Sequence, residues 1–333
     1  MLVIEDSNAS ALWARAWETI TKDGRKRTHA RGDYFESLHS VLALQNPRNR
    51  WVLSRHPSIN PAFALAEVIW IIRGRNDSEF LTSWNRALPS FAGSGDTFDG
   101  AYGARLRSRF GFDQLERAAS TLSSNPEQRQ VVLQIWDPST DFPTADGHSR
   151  SPDIPCNVSS MLKVVDGRLE WLQVMRSNDV VRGLPYNLVQ WTTVQEILAG
   201  WMSLDVGAYV HISDSLHIYE KDLVEFERRD SSEPAEAPDL RLSKTDSDKV
   251  FLELELAAES LSATREVSVA IEWAERVSSP VYADWTRVLA AERIRRLGEQ
   301  EIGLHIVGQI VDHDLQAVAY AWHTQRPSRK ASA

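Results

Sequence analysis

The sequence predicts an α+β fold, with a large mixed sheet at its core, helices flanking it, and an extra helical C-terminal region. Three observations carry this expectation. Residues 158–165 and 168–175 are two strand-like runs on either side of Asp166-Gly167, a two-residue hairpin signal. Apolar side chains recur at helical spacing over 65–72 and again over 191–201. There is no GxGxxG turn after a strand and no GxxxxGK[ST] loop, so nothing points to a dinucleotide or ATP fold.

Taken in order, Asn60-Pro61 starts a helix, with Asn as cap and Pro in the first turn. Leu65, Val68, Ile69 and Ile72 follow at helical spacing, and Arg73-Gly74 ends it. Residues 131–136, VVLQIW, suit a buried strand. Residues 137–155 are rich in Asp, Ser, Pro and Gly, and a loop of that length inside a compact domain is usually functional or disordered. It delivers the chain to Pro155-Cys156. After Pro185, the residues Trp191, Val194, Ile197, Leu198 and Trp201 mark one helix face. Tyr209–Ile212 is a short strand, and His217–Arg229 reads as a helix. Residues 230–249 read as a polar linker or surface loop. A helix is expected near 283–298, and the tail 325–333 is expected to fray. No internal boundary or repeat divides residues 1–333.

The chain has 333 residues, a mass of 37.6 kDa and a formal charge of −9. With 42% hydrophobic and 25% charged residues it has a globular profile. The acidic balance argues against nucleic acid or an anionic membrane as the main partner, but not against a phosphate pocket made by a few arginines. A single cysteine, Cys156, rules out an intramolecular disulfide and any multi-cysteine metal cluster. The nine histidines show no HExxH spacing, so no metal is expected. No apolar run approaches the roughly 20 residues of a membrane span, and MLVIEDSNASALW lacks a signal pattern. The expectation is a soluble, cytoplasmic protein. Twelve tryptophans suit core packing more readily than nucleotide stacking.

Several residues are candidates for chemistry. Cys156 follows a long loop and a proline and opens a strand, where a side chain can face a cleft. A lone cysteine is also commonly just a small buried residue. A thiolate needs nearby positive charge, which Arg176 at the end of the paired strand can supply. Glu67 shares a helix face with Phe63, Trp70 and Ile71. Desolvation there raises a carboxyl pKa into the range of a general acid or base, unless the side chain bends out to water. Arg176-Ser177 offers a guanidinium fork and a hydroxyl suited to a phosphate. Asp179 and Asn187 are polar residues in an apolar neighbourhood, either ligand contacts or caps of a strand–turn–helix connection punctuated by Gly183 and Pro185. His217 and Tyr219 sit at strand spacing and point the same way, to a sugar hydroxyl or into the core.

Read together, these segments resemble the thymidylate synthase family. The likeness is strongest over 129–219, through RQVVLQIWDP, IPCNVS, DGRLEWLQVMRSNDVVRGLPYN and SLHIY. It extends upstream through AEVIW at 66–70 and DGAYGARLR at 99–107, covering about half of the chain. The resemblance implies that Cys156 adds to C6 of a pyrimidine nucleotide, so that C5 attacks a one-carbon unit from 5,10-methylenetetrahydrofolate. It implies that Glu67 handles protons through waters and that Tyr102 orders the water that takes the C5 proton. Asp179, with Gly183, would line the folate site. Asn187 would read the base edge, and His217 and Tyr219 the ribose. Arg176, Ser177 and Arg31 would bind the phosphate. The active form would be a homodimer, with Arg129 reaching the partner subunit's phosphate.

Departures from the family pattern point to one branch of it. The C-terminal tail does not resemble the family's sealing tail. The tryptophan over the folate is replaced near Pro89-Ser90, and Arg182, Gln130 and Ser215 stand where leucine, arginine and aspartate are usual. MRSNDVV and SLHxY look like the phage deoxycytidylate hydroxymethylases, in which water captures the exocyclic methylene. A looser, wetter site favours that outcome over methylation. Those enzymes read the base with an aspartate, whereas this chain has Asn187, so the resemblance leaves cytosine and uracil both open.

Overall fold

The computed structural model describes residues 2–29 and 31–325. The chain opens with β1 (Val3–Asp6) and α1 (Ala9–Asp23), then the ribbon β2 (Arg25–His29) and β3 (Gly32–Leu44). The short β4 (Arg55–His56) precedes α2 (Pro61–Ile72). Asn60 Oδ1 accepts from the Phe63 amide and Pro61 fills the first turn, as the Asn-Pro pair predicts. Next come α3 (Ser78–Trp84), α4 (Pro89–Ala92) and α5 (Tyr102–Ala104), followed by a π-turn at Arg105–Arg109 and α6 (Gln114–Ser124). β5 (Val132–Gln134) lies inside the 131–136 run, and a single turn, α7 (Pro138–Asp141), forms in the long stretch after it.

The predicted hairpin is β6 (Asn157–Val165) and β7 (Arg168–Met175). Asp166 and Gly167 have φ of 49° and 75°, the left-handed pair that a type I′ turn requires. Then follow β8 (Asn178–Asp179), α8 (Leu184–Trp201), β9 (Asp205–Tyr219), α9 (Asp222–Glu225) and β10 (Glu227–Arg228). The chain closes with α10 (Lys244–Ala263), α11 (Val267–Trp273), α12 (Ala283–Arg296), α13 (Gln300–Val307) and α14 (His313–Gln325).

Three expectations change. His217–Arg229 is not a helix: 217–219 ends β9, only Asp222–Glu225 is helical, and Glu227–Arg228 pairs with β4. The cause is long-range pairing. β9 runs antiparallel to β3 from Leu44↔Tyr209 to Tyr34↔Tyr219, which extends the strand well beyond the predicted Tyr209–Ile212. The 230–249 linker is also too long. Ser243 accepts from the Asp246 amide and caps α10, so the helix begins inside it at Lys244. Of the tail 325–333, Gln325 ends α14 and 326–333 lie outside the described residues.

Eight strands form one mixed sheet in the order β1-β3-β9-β7-β6-β5, with β2 added to β3 and β8 to β9. β1 is parallel to β3, and β7 and β8 are parallel to β9; the other pairs are antiparallel. Helices α1 and α8 cover one face, α2 lies on α8, and α10, α12 and α14 pack over α2. Trp13, Trp84, Trp171 and Trp191 are fully buried, the core use expected of them. Every residue of α2 is buried except Glu67.

Among the described residues, the other sheet face is bare of helices. Cross-strand partners share a face, and one row runs Val132–Met161–Leu172–Val210–Ala43 over five strands. A second row runs Val174–Ile212–Val41–Val3. Met161 and Val132 are 42% and 47% exposed. Among the described residues, no helix is long and apolar enough to cross a membrane.

The C-terminal layer closes on a buried carboxylate. Glu292 on α12 accepts from Arg295 at 2.9 Å, Arg296 at 2.6 Å and the Trp322 indole at 2.9 Å. Burial pushes its pKa up, but these partners outweigh burial and hold it below the ordinary 4.5. A depressed carboxyl stabilises above its unfolded pKa, and that contribution is lost as pH falls through the folded value. Glu292→Gln should therefore cost about 3 kcal/mol at pH 7, read from urea midpoints. The cost should shrink below pH 4.5; a cost independent of pH would assign it to packing instead.

Candidate active site

The pairing around β9 gathers the polar residues. β7 ends at Met175, and Asn178↔Leu216 and Asp179↔His217 then pair β8 beside β9. The Arg176 amide donates to the Cys156 carbonyl at 2.9 Å, which sets both residues at the open end of the β6–β7 hairpin. α2 brings Glu67, α5 brings Tyr102, and α8 brings Asn187 to the same region.

Glu67 is a strongly perturbed carboxyl. Burial lifts its pKa to about 8, and the Gln190 amide only partly opposes this. Its Oε2 is buried without a hydrogen-bond partner. At neutral pH the group is a protonated acid. Tyr102 lies beside Cys156, Asn157, Asp153 and Glu67, and burial holds its phenol protonated. Its ring packs on Trp191 at 5.7 Å.

Burial also raises the Cys156 thiol. Arg176 and Arg31 pull it down, while Asp153 and Asp179 push it up. The expectation that Arg176 favours a thiolate is corrected to this extent: its pull is present, but desolvation outweighs it in the free protein. Asp153 is raised by burial and accepts from the Gly100 amide at 2.7 Å. A Cβ on Gly100 would lie 2.9 Å from that carboxylate, so a larger residue there would require the Asp153 side chain to shift.

Arg176 donates from Nε to the Pro155 carbonyl and from Nη2 to that of Ile154, leaving Nη1 for an anion. It also sits 5.7 Å over the Trp136 ring. Ser177 follows, half-buried. Arg31 is exposed, and its charge reaches Cys156 and Tyr219. Asp179 accepts through Oδ1 from the Val181 and Arg182 amides, and burial raises its pKa against the neighbouring His217. The His217 ring meets Tyr34 and Tyr219, and its buried Nδ1 has no partner. Asn187 donates from Nδ2 to Asn178 Oδ1 at 3.1 Å. Gly183 packs against Asn178 and Asp179. Arg129 is exposed just before β5 and joins none of these contacts.

Some members of the cluster were not assigned to the site from the sequence, Ser215 and Arg182 having been noted only as departures from the family pattern. Ser215 donates to Glu36 on β3, so a carboxylate from another strand stands beside the serine that replaces the family's aspartate. Arg182 is held by Asp222 at 2.6 Å and stacks on Phe226. Asn178, inside MRSNDVV, was visible as a polar residue between two others. Glu36, Asp153 and Gln190 carry no local signal. A separate cavity of about 390 Å³ lies between α3 and the C-terminal helices, lined by Arg86, Arg293 and Arg296 among others, and contains none of the candidate residues.

The chain's fold belongs to a known family. Residues 13–262 match the family model described as "Thymidylate synthase", three quarters of the chain, and the chain is a member of the thymidylate synthase family. It is 32% identical over 234 residues to a deoxyuridylate hydroxymethyltransferase of Bacillus phage SP01, covering 67% of this chain and 60% of that one. A protein of the same name from Pseudomonas phage M6 is 30% identical, covering 66% and 62%. The thymidylate synthase of Bos taurus is 26% identical, covering 61% and 62%. The chain thus spans about three fifths of the length of the two phage relatives. Those relatives are named for deoxyuridylate, not for the deoxycytidylate that MRSNDVV and SLHxY suggest.

A carboxyl raised by burial weakens folding as pH climbs from its unfolded pKa to its folded one. Glu67→Gln should therefore melt like the wild type near pH 5 and be more stable by a few kcal/mol at pH 8 and above. Equal melting curves at both pH values would show that Glu67 is solvated.

Proposed function

We propose that this chain is a folate-dependent pyrimidine nucleotide hydroxymethylase, acting at C5 of a nucleoside 5′-monophosphate. The observation that carries this reading is the grouping of the only thiol, Cys156, with a neutral buried acid, Glu67, and a protonated phenol, Tyr102. Uracil is the leading base, supported by the Asn187 amide and by the names of the phage relatives; cytosine is the second.

The phosphate is bound by Arg176 Nη1, Ser177 and Arg31, and the ribose by His217 and Tyr219. Cations close to the phosphate outweigh the distant, screened net negative charge. Cys156 loses its proton and its sulfur bonds to C6, which makes C5 a nucleophilic carbon. 5,10-Methylenetetrahydrofolate supplies the one-carbon unit. The residues fit it through Asp179, whose Oδ1 is taken by two backbone amides and whose second oxygen is left for a pterin. C5 bonds to that carbon, and Glu67 delivers a proton to the leaving nitrogen. The C5 proton passes to water ordered by Tyr102. Water then adds to the exocyclic methylene, the C6–S bond breaks, and Cys156 leaves as thiolate. The product is the 5-hydroxymethyl nucleotide and tetrahydrofolate.

The test is a panel of dUMP, dCMP, UMP and CMP, each tritiated at C5 and incubated with methylenetetrahydrofolate. Tritium release identifies base and sugar, and mass spectrometry reads the product. Cys156→Ser should lose release by about 10³-fold or more while retaining phosphate-driven binding. A methyl product with dihydrofolate would instead make the chain a thymidylate synthase.

The active form is a homodimer packed through the bare sheet face. The aligned rows Val132–Met161–Leu172–Val210–Ala43 and Val174–Ile212–Val41–Val3 support this. Arg129 lies outside its own subunit's cluster, which suits delivery to the partner subunit's phosphate. Ile212→Glu should give monomers by light scattering and remove activity. A dimer that persists would place the interface elsewhere.

A further inference from the structure

The Asn187 amide is not free to turn. Its Nδ2 donates to Asn178 Oδ1 at 3.1 Å, and Asn178 Nδ2 lies 2.8 Å from His211 Nε2. His211 Nδ1 in turn lies 2.8 Å from the Tyr209 hydroxyl. Tyr209 and His211 are 0% exposed and Asn178 is 2% exposed. The strands explain the line. Tyr209 and His211 alternate onto the buried face of β9, and β8 pairs beside it with Asn178 opposite Leu216. Gly183 completes it, because a Cβ there would come within 2.9 Å of Asn178 Oδ1.

We propose that Tyr209, His211 and Asn178 are positioning residues that lock the Asn187 amide in one orientation and so set which pyrimidine base is accepted. This rests on the reading above, in which Asn187 meets the base edge. An amide has a donor end and an acceptor end. Uracil presents N3–H and O4, and cytosine presents N3 and its amino group, so the two bases demand opposite orientations. In a solvated pocket the amide would turn at little cost.

Here a turn cannot happen alone. It would set Asn187 Oδ1 against Asn178 Oδ1, so Asn178 must turn as well. Asn178 Oδ1 would then face His211 Nε2, which must now carry the ring proton. Burial lowers His211 to a pKa of about 3, so the ring is neutral and has one proton to place. Moving it to Nε2 makes Nδ1 an acceptor, and the Tyr209 hydroxyl must turn its hydrogen toward it. The four side chains rearrange together or not at all.

The experiment measures kcat/KM for tritium release from C5-labelled dUMP and dCMP in wild type, Asn178→Leu and Tyr209→Phe. The wild type defines a base ratio. Asn178→Leu should move that ratio toward one by about tenfold or more, the scale of a lost oriented hydrogen bond. The change should fall in KM rather than kcat, because uniform binding is lost. Tyr209→Phe, which removes one oxygen from the far end of the line, should move the ratio in the same direction by less. If both variants melt like the wild type and lose both substrates in equal proportion, the role is merely structural and the proposal is wrong. If Asn178→Leu fails to fold, an unchanged ratio in Tyr209→Phe overturns it alone. If the wild type releases tritium from neither nucleotide, the proposed reaction fails separately. Calorimetric Kd values for dUMP and dCMP then decide the relay: a ratio that differs between wild type and Tyr209→Phe supports it. An equal ratio, or no binding of either nucleotide, overturns it.

Discussion

Strand β9 is the constraint on which the rest of the molecule depends. It pairs with β3 on one side and with β7 and then β8 on the other, so most of its backbone hydrogen-bonding capacity is used within the sheet. Its inward face carries Tyr209 and His211, and its far end carries Ser215, His217 and Tyr219. The parallel register with β8 sets Asp179 opposite His217. A one-residue slip would send this whole set to the other face of the sheet. Packing, the polar relay and the arrangement of candidate residues therefore share one register.

The electrostatics of the cleft follow from burial. Glu67 and Cys156 are both pushed toward their neutral forms, Glu67 because α2 is enclosed between α8 and the C-terminal helices. This gives the C-terminal region a physical role: it excludes water from the far side of the helix that carries the acid. The positive charge is arranged differently. Arg176 is tied to backbone carbonyls of the loop before Cys156, and Arg31 stays exposed. A rigid cation beside the thiol and a free one at the mouth suit an anion that enters from solvent.

Much of the fold was legible because it depends on local rules. The Asn60-Pro61 cap and the Asp166-Gly167 turn act within a few residues, and each formed as read; α8 also formed, but it is buried on nearly every side rather than along one apolar face. The helix expected over His217–Arg229 did not form, because its first residues are claimed by a strand partner at Tyr34 and Phe35, far away in sequence. The α10 start at Lys244 was missed for a smaller reason: Ser243 and Asp246 form a cap inside a stretch whose composition reads as loop.

By itself the sequence determined the class of fold, the family likeness and most of the residues gathered in the cleft, because those are written in spacing and residue type. Only the tertiary structure decided their states. That Cys156 is a raised thiol, that Glu67 has a pKa near 8, and that Asn187 is held by a line of three buried side chains all arise from neighbours on other elements. Desolvation and paired hydrogen bonds depend on what surrounds a group in space, and a linear chain does not record that.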